Sequence, residues 1–222
     1  MIEFDDQEQR MVLKLVYYGP ALSGKTTNLL KLHDLLDMRD RGDLMVLDTK
    51  DDRTIYFDLL PFYLKAPSGL KIKVKVYTVP GQVRHDATRK AVLQRADGVA
   101  FIADSRPGEA ANNFESFSNL EKNLACVGLD IEHVPLVVQF NKRDLPEILT
   151  EEDILRTWEP TGVPIFMASA LEGGGVKETF GKLLELAYQM IDKKVGLLEK
   201  HGLSREAFVG KLTAPQGEPD AP

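Results

Sequence analysis

The segment from Gly19 to Thr26 reads GPALSGKT and constrains the fold more than any other part of the chain. It matches the pattern G-x-x-x-x-G-K-[ST], in which a glycine loop wraps around a phosphate chain. The apolar segment 11–18 before it predicts a β-strand, and the leucines that follow at helical spacing predict a helix to about residue 38. The order of strand, glycine loop and helix therefore predicts a phosphate-binding loop.

The residue types of this loop suit a nucleoside triphosphate with a divalent cation. The glycines allow a tight turn, and successive backbone N–H groups point at an anion at the start of the helix. Lys25 is expected to reach the β- and γ-phosphates, and the hydroxyl of Thr26 to bind Mg²⁺. The predicted nucleotide-binding residues here are Gly19, Pro20, Ala21, Leu22, Ser23, Gly24, Lys25, Thr26 and Thr27.

Composition narrows the class of protein. The chain has 222 residues, of which 43% are hydrophobic, which suits one α/β domain with a short extension. A net charge of -6 argues against general nucleic-acid binding. The single cysteine, Cys126, fits a reducing compartment and is expected to be buried. We expect a cytoplasmic protein with no direct membrane anchor, so recruitment to a membrane would have to go through a partner.

Hydrophobic patterning predicts alternating strands and helices. Short buried strands are expected over 98–103, 134–140 and 163–168, and a strand with one solvated face over 70–79. This order predicts an α/β fold, a doubly wound, mostly parallel sheet with helices on both faces. The predicted divisions are an arm over 1–10, the main domain over 11–193, a short helical extension over 194–212 and a disordered tail over 213–222.

Helix and turn signals add detail to this pattern. A turn at residues 67–69 is expected before the strand over 70–79, and Pro61 is expected to interrupt the apolar run before it. A helix over about 109–127 should bury a stripe that includes Phe114. Thr150 is a good N-cap for a helix over 151–158.

A second motif, Asn141-Lys142-Arg143-Asp144, directly follows a predicted buried strand and therefore lies at the ligand edge of the sheet. The carboxylate of Asp144 can accept from N1–H and the 2-amino group of guanine, whereas adenine offers no donor at either place. The stem of Lys142 can lie over the base, and Asn141 can join this loop to the phosphate loop. Backbone N–H groups of a third segment, Ser169, Ala170 and Leu171, could contact the guanine O6.

These three motifs in this order resemble the Ras-like small GTPases over about residues 11–193. The segment 77–82, with sequence YTVPGQ, and the segments 53–61 and 139–146 are similar to the bacterial gliding-motility and cell-polarity GTPases. The resemblance implies slow hydrolysis of GTP to GDP and phosphate, switches at 49–62 and 80–90, and a roadblock-type activating partner with effectors.

The resemblance also implies roles for individual residues. Gln82, directly after Gly81, would orient the attacking water, and Arg53 would act as an arginine finger in cis. Thr78 stands where most P-loop GTPases place a magnesium-binding aspartate, so the site is expected to rely more on Thr26, the phosphates and a switch hydroxyl. The best candidate for that hydroxyl is Thr54, ahead of Thr49.

Two departures from the related pattern leave the rate of hydrolysis open. Ala21 replaces a glycine and places a methyl group near the γ-phosphate, and Thr78 removes a charge from the metal site. The chain is predicted to be a GTP-hydrolysing switch, with a nucleotide-gated adaptor of negligible turnover as the alternative. A kinase that uses ATP is disfavoured because Asn141 to Asp144 indicates guanine.

Overall fold

One eight-stranded sheet organises the chain in the computed structural model, which describes residues 3–36, 42–47, 57–81 and 86–215. The strands are β1 (Glu3–Asp5), β2 (Arg10–Tyr18), β3 (Met45–Leu47), β4 (Phe57–Lys65), β5 (Lys71–Thr78), β6 (Gly98–Asp104), β7 (Leu136–Asn141) and β8 (Ile165–Met167). The helices are α1 (Lys25–Leu35), α2 (Asp86–Leu93), α3 (Ala110–Cys126), α4 (Glu151–Trp158), α5 (Val176–Val195), α6 (Leu197–His201) and α7 (Arg205–Leu212).

Strand order runs β3-β4-β5-β2-β6-β7-β8, and β1 pairs with β2. Strands β5, β2, β6, β7 and β8 run parallel to one another, whereas the pairs β1–β2, β3–β4 and β4–β5 are antiparallel. The predicted doubly wound, mostly parallel sheet is confirmed. Because the parallel strands share a direction, the loops that follow β2, β7 and β8 meet at one edge of the sheet.

Strand β2 shows how the core divides into two layers. Its side chains alternate, so Leu13, Leu15 and Tyr17 pack on one face of the sheet while Val16 and Tyr18 pack on the other. Helix α5 covers the first face, and helix α3 covers the second. All seven residues of β6 are buried, as expected of a central parallel strand covered on both faces.

Strand β4 continues through Pro61, where an interruption was expected. The carbonyl oxygen of Pro61 accepts from the backbone N–H of Gly42, at the side of β4 that faces away from β5. In an antiparallel strand the N–H and C=O of one residue point to the same side. The N–H that proline lacks would therefore have pointed away from β5, so the pairing with β5 loses no hydrogen bond.

Two side chains of α3 are more exposed than the sequence predicted. Phe114 is 76% exposed, because the buried stripe of this helix runs through Asn113, Ser116 and Leu120 instead. Cys126, at the last turn, is also exposed. The N-cap of α4 agrees with expectation, since the hydroxyl of Thr150 accepts from the backbone N–H of Asp153 at 3.1 Å.

The residues after α5 pack on the domain. Phe208 and Leu212 of α7 are buried in the same apolar cluster as Leu13 and Leu15 of β2. The backbone at Pro215 forms a bridge with Leu36, just after α1. At the other terminus, β1 lies in the predicted arm. Residues 216–222 of the predicted tail lie outside the described residues.

Candidate functional site

The phosphate loop joins β2 to α1, and its two glycines have no room for a side chain. A Cβ on Gly19 would lie 2.2 Å from the carbonyl oxygen of Ile102, and one on Gly24 would lie 2.2 Å from the side-chain nitrogen of Asn141. Both residues have positive φ, +148° and +94°, which L-residues rarely adopt. Gly24 directly precedes α1, so the helix N-terminus opens into the loop.

Lys25 is held inside this loop. Its ammonium group donates to the carbonyl oxygens of Gly19 at 3.0 Å and Pro20 at 2.6 Å, and its side chain is buried. Burial, followed by the positive charge of Arg89, lowers the pKa of Lys25 to about 7, although Asp58 acts in the opposite direction. A phosphate group bound here would supply the negative charge that favours the protonated lysine.

A buried carboxylate lies next to Thr26, in a place where the sequence predicted none. The hydroxyl groups of Thr26 and Thr78 donate to the same oxygen of Asp58, at 2.6 Å and 3.0 Å. The backbone N–H of Asp58 in turn donates to the Thr78 hydroxyl at 2.9 Å. The sequence indicated no carboxylate in this region, and the neighbouring antiparallel strand β4 brings one to it.

The segment after β5 packs closely on the phosphate loop. A Cβ on Gly81 would lie 2.3 Å from the Cα of Ala21, so only glycine fits here without a shift of the backbone. Between these segments lies a cleft of about 340 Å³, lined by Lys25, Thr26, Asp58 and their neighbours. The cleft adjoins Ala21, the position at which a methyl group was expected to crowd the site.

The side chain of Asn141 connects all three predicted nucleotide-binding loops. Its amide nitrogen donates to the carbonyl oxygen of Ser23 at 2.8 Å, and its amide oxygen accepts from the backbone N–H of Ala170 at 2.8 Å. Asn141 is buried at the end of β7. The phosphate loop, the loop after β7 and the loop after β8 are thus held together by one side chain.

The remaining residues of these two loops have distinct partners. Lys142 has φ +70° and forms an ion pair of 2.7 Å with the buried Asp104 at the end of β6. Burial tends to raise the pKa of Asp104, but hydrogen bonds from Arg106 and Lys142 outweigh it, so the pKa is lowered. The carboxylate of Asp144 is exposed and accepts from the Ser169 hydroxyl at 2.7 Å.

The other predicted residues of the loops are placed as follows. Thr27 lines the cleft, and Ser23 is fully buried, with no hydrogen-bond partner for its hydroxyl among the described residues. The side chains of Leu22 and Leu171 are 84% and 69% exposed. The predicted catalytic residues Arg53 and Gln82, and the predicted metal ligand Thr54, lie outside the described residues.

Fold and site together define a protein of the P-loop small GTPase class. No protein-family model matches the chain. The chain is 42% identical over 180 residues to the mutual gliding-motility protein MglA of Myxococcus xanthus, an alignment that covers 81% of this chain and 92% of that protein. It is 25% identical over 193 residues to the rat Ras-related protein Rab-27B, covering 86% of each.

A plant relative extends the same similarity. The Ras-related protein RABA2c of Arabidopsis thaliana is 23% identical over 210 residues, which cover 94% of this chain and 89% of the relative. The chain therefore belongs to the Ras-like small GTPases, in the group that contains the bacterial gliding-motility protein MglA, and it is a GTP-binding GTPase. Among the described residues, no helix has the length and apolar character needed to cross a membrane.

Proposed function

We propose that this chain is a switch of bacterial cell polarity or gliding motility that binds GTP with Mg²⁺ and hydrolyses it slowly to GDP. The observation that supports the proposal is the pair of hydrogen bonds made by the Asn141 side chain, which join the phosphate loop to the loop after β8, while Asn141 itself begins the loop that contains Asp144. The similarity to a gliding-motility protein supports the biological role. We place the protein in the cytoplasm, with recruitment to a pole by partners.

Magnesium fits the donor set next to the phosphate loop. Mg²⁺ prefers oxygen ligands, and the Thr26 hydroxyl and Asp58 carboxylate are adjacent oxygen donors. Within residues 3–36, 42–47, 57–81 and 86–215 no cluster of three or more His, Cys, Asp and Glu side chains could hold a metal by itself. The ion would therefore share its coordination between this pair and the nucleotide, with Thr54 as a further proposed ligand, and would neutralise phosphate charge.

The hydrolytic step is assigned to two switch residues. Gln82 orients the attacking water, and Arg53 neutralises charge on the phosphates once a partner has positioned its side chain. The packing of Gly81, the residue before Gln82 in the sequence, supports this role, since Gly81 lies against Ala21 at the phosphate loop. The proposed partner is a roadblock-type dimer, which would accelerate turnover by fixing Arg53.

A nucleotide-gated adaptor with negligible turnover is the second candidate. The close approach of Gly81 to the backbone of Ala21 favours it, since Ala21 carries a methyl group where the related pattern has a glycine. In that case nucleotide binding alone would select partners, and the chain would remain in its GTP form until the nucleotide dissociates.

Single-turnover hydrolysis with and without a roadblock-type dimer separates the two candidates. For the switch we expect slow basal turnover and an acceleration of about 10³–10⁵ that Arg53→Ala or Gln82→Ala removes. Ala21→Gly should raise the accelerated rate. A wild-type protein that does not turn over even with the dimer would support the adaptor. Full acceleration of Arg53→Ala would contradict the role of Arg53 in cis.

A further inference from the structure

Arg89 of α2 is a fully buried cation beside the nucleotide site. Its Nε atom donates to the carbonyl oxygen of Pro80 at 3.0 Å, and one terminal nitrogen donates to the carbonyl oxygen of Gly81. The other terminal nitrogen donates to Asn119 Oδ1 at 2.6 Å and to the Tyr18 hydroxyl at 3.3 Å. The planar guanidinium is thus fixed on both sides and spans two consecutive carbonyl groups.

The two carbonyl groups decide how the backbone before Gln82 is oriented. A trans peptide is planar, with its N–H pointing opposite to its C=O. The hydrogen bond to Pro80 therefore turns the N–H of Gly81 away from Arg89, and the bond to Gly81 fixes the peptide that leads into Gln82. Pro80 and Gly81 also line the cleft next to Lys25.

The far side of Arg89 rests on α3 and on the strand that leads to the phosphate loop. Asn119 Oδ1 also accepts from Asn123 at 3.0 Å, and both asparagines donate to Asp86, at 3.3 Å and 2.8 Å. Tyr18, which directly precedes Gly19, accepts from Asn123 at 3.1 Å. The side chain of Arg89 is thereby held in place by α3 and β2, two elements outside the switch segments.

Among the residues that the structure describes, the charge of Arg89 is balanced only indirectly. Within the described part of the chain its hydrogen-bond acceptors are carbonyl, amide and hydroxyl oxygens, and the nearest acid of this network, Asp86, is reached through Asn119 and Asn123. A buried cation without a direct counter-ion is costly. Arg89 is also close enough to Lys25 to contribute to its lowered pKa.

We propose that Arg89 is a positioning residue that holds Pro80 and Gly81 against the phosphate loop and thereby aligns Gln82 for GTP hydrolysis. This inference rests on the proposed function, since it depends on the hydrolytic role proposed there for Gln82. It requires the planar guanidinium rather than the charge alone. Nε and one terminal nitrogen reach the two carbonyl groups while the other terminal nitrogen reaches Asn119, a spread of donors that the compact ammonium of a lysine does not provide.

The test compares Arg89→Lys and Arg89→Gln with Arg95→Gln, a matched change at an exposed arginine just after α2. Single-turnover hydrolysis is measured with the nucleotide fully bound, together with GDP affinity and thermal unfolding. We expect both Arg89 variants to hydrolyse GTP about tenfold to a hundredfold more slowly while GDP affinity stays at the wild-type value. Arg95→Gln should match the wild type throughout.

The alternatives give different results. If Arg89 only stabilises the fold, its variants should lose GDP affinity and thermal stability together, and the hydrolysis rate of the bound fraction should be unchanged, which would overturn the inference. If the Arg89 variants do not fold, Asn119→Ala is used in their place. This variant removes one hydrogen-bond acceptor of the Arg89 guanidinium, on α3 and thus outside the switch segments. It should slow hydrolysis in the same direction, and wild-type turnover would overturn the inference. Absence of GTP hydrolysis by the wild type would contradict the proposed function itself.

Discussion

The carboxylate of Asp58 accepts a 2.6 Å hydrogen bond from the hydroxyl of Thr26, which lies 32 residues earlier in the chain. One residue belongs to the helix that follows the phosphate loop, and the other lies near the start of β4. Because Thr78 takes the place of the aspartate that most P-loop GTPases use, the nearby charge now comes from the paired strand.

Loss of this charge should weaken the dependence of nucleotide binding on Mg²⁺. We expect Asp58→Asn to reduce Mg²⁺ affinity in the GTP complex by about 10–100-fold, because the amide keeps the shape but not the charge. Asp43→Asn, at an exposed site before β3, is the matched control and should bind as the wild type does. A magnesium titration of GTP affinity measures both. If Asp58→Asn has the same Mg²⁺ affinity as the wild type, Asp58 does not contribute to Mg²⁺ binding.

Exchanging the residue types at positions 58 and 78 tests which of the two positions carries the carboxylate that affects Mg²⁺ binding. Thr78→Asp alone would place a second carboxylate beside Asp58, where the present contact is 3.0 Å, so we expect lower thermal stability and no gain in Mg²⁺ affinity. From the sequence alone this substitution would be expected to tighten Mg²⁺ binding. Adding Asp58→Thr should restore both properties. Thermal unfolding and a magnesium titration are measured for the single and the double variant. Tighter Mg²⁺ binding by Thr78→Asp alone would contradict the expectation that the two carboxylates repel each other.

Asp144 should carry the choice of base. We expect Asp144→Asn to lower GTP affinity by about 10²–10⁴-fold and to favour xanthine nucleotides, because the acceptor pair becomes a donor and an acceptor. Ser169 already occupies one carboxylate oxygen, so Ser169→Ala should have a smaller effect. Glu147→Gln, at an exposed acid of the same loop, serves as the control. Competition between GTP, XTP and ATP is the measurement, and unchanged GTP preference would refute the assignment.

Local pattern was enough to predict the sheet, its parallel centre and the position of the phosphate loop. Asp58 was missed because an acid inside an apolar run gives no local signal. The expected turn at 67–69 could have revealed the contact between Asp58 and Thr78, because a hairpin centred on Ser68 pairs residue 58 with residue 78. Arg89 could not have been found this way, because its burial depends on how α2 packs against α3. The prediction that Phe114 is buried was wrong for the same reason, because tertiary packing determines which side of α3 faces the core.

Lys25 should make stability depend on pH. The pKa is 10.5 for an ordinary lysine and about 7 here, so between these values the unfolded chain binds more protons than the folded one. Stability therefore rises with pH across this window, and the cost is fully present below about pH 7. We expect Lys25→Met to raise the melting temperature at pH 6 by about 2–4 °C per kcal/mol relieved, and to bring no gain at pH 10.

The control for that experiment is Lys211→Met, at an exposed position of α7. It should leave the pH dependence of unfolding unchanged. Lys25→Met should also lose GTP affinity, because a charge-assisted contact to the phosphates is removed. A pH profile of Lys25→Met parallel to that of the wild type would show that this lysine does not titrate in the window.

The helices after α5 should contribute to the stability of the whole domain. Phe208 is fully buried and its ring lies 5.6 Å from that of Tyr188, so Phe208→Ala should reduce the free energy of unfolding by about 3–5 kcal/mol. Phe114→Ala removes the same atoms from a side chain that is 76% exposed, and we expect a change within about 0.5 kcal/mol. Urea unfolding measures both. Equal losses would contradict the burial of α7.

The two hydrogen bonds made by the Asn141 side chain imply that the base and the phosphates of the nucleotide are not recognised independently. A shift of the loop that holds the base would move the carbonyl of Ser23, and a shift of the phosphate loop would move the backbone of Ala170. Guanosine and pyrophosphate, added as separate molecules, should consequently bind with positive cooperativity, each lowering the ordering cost of the other.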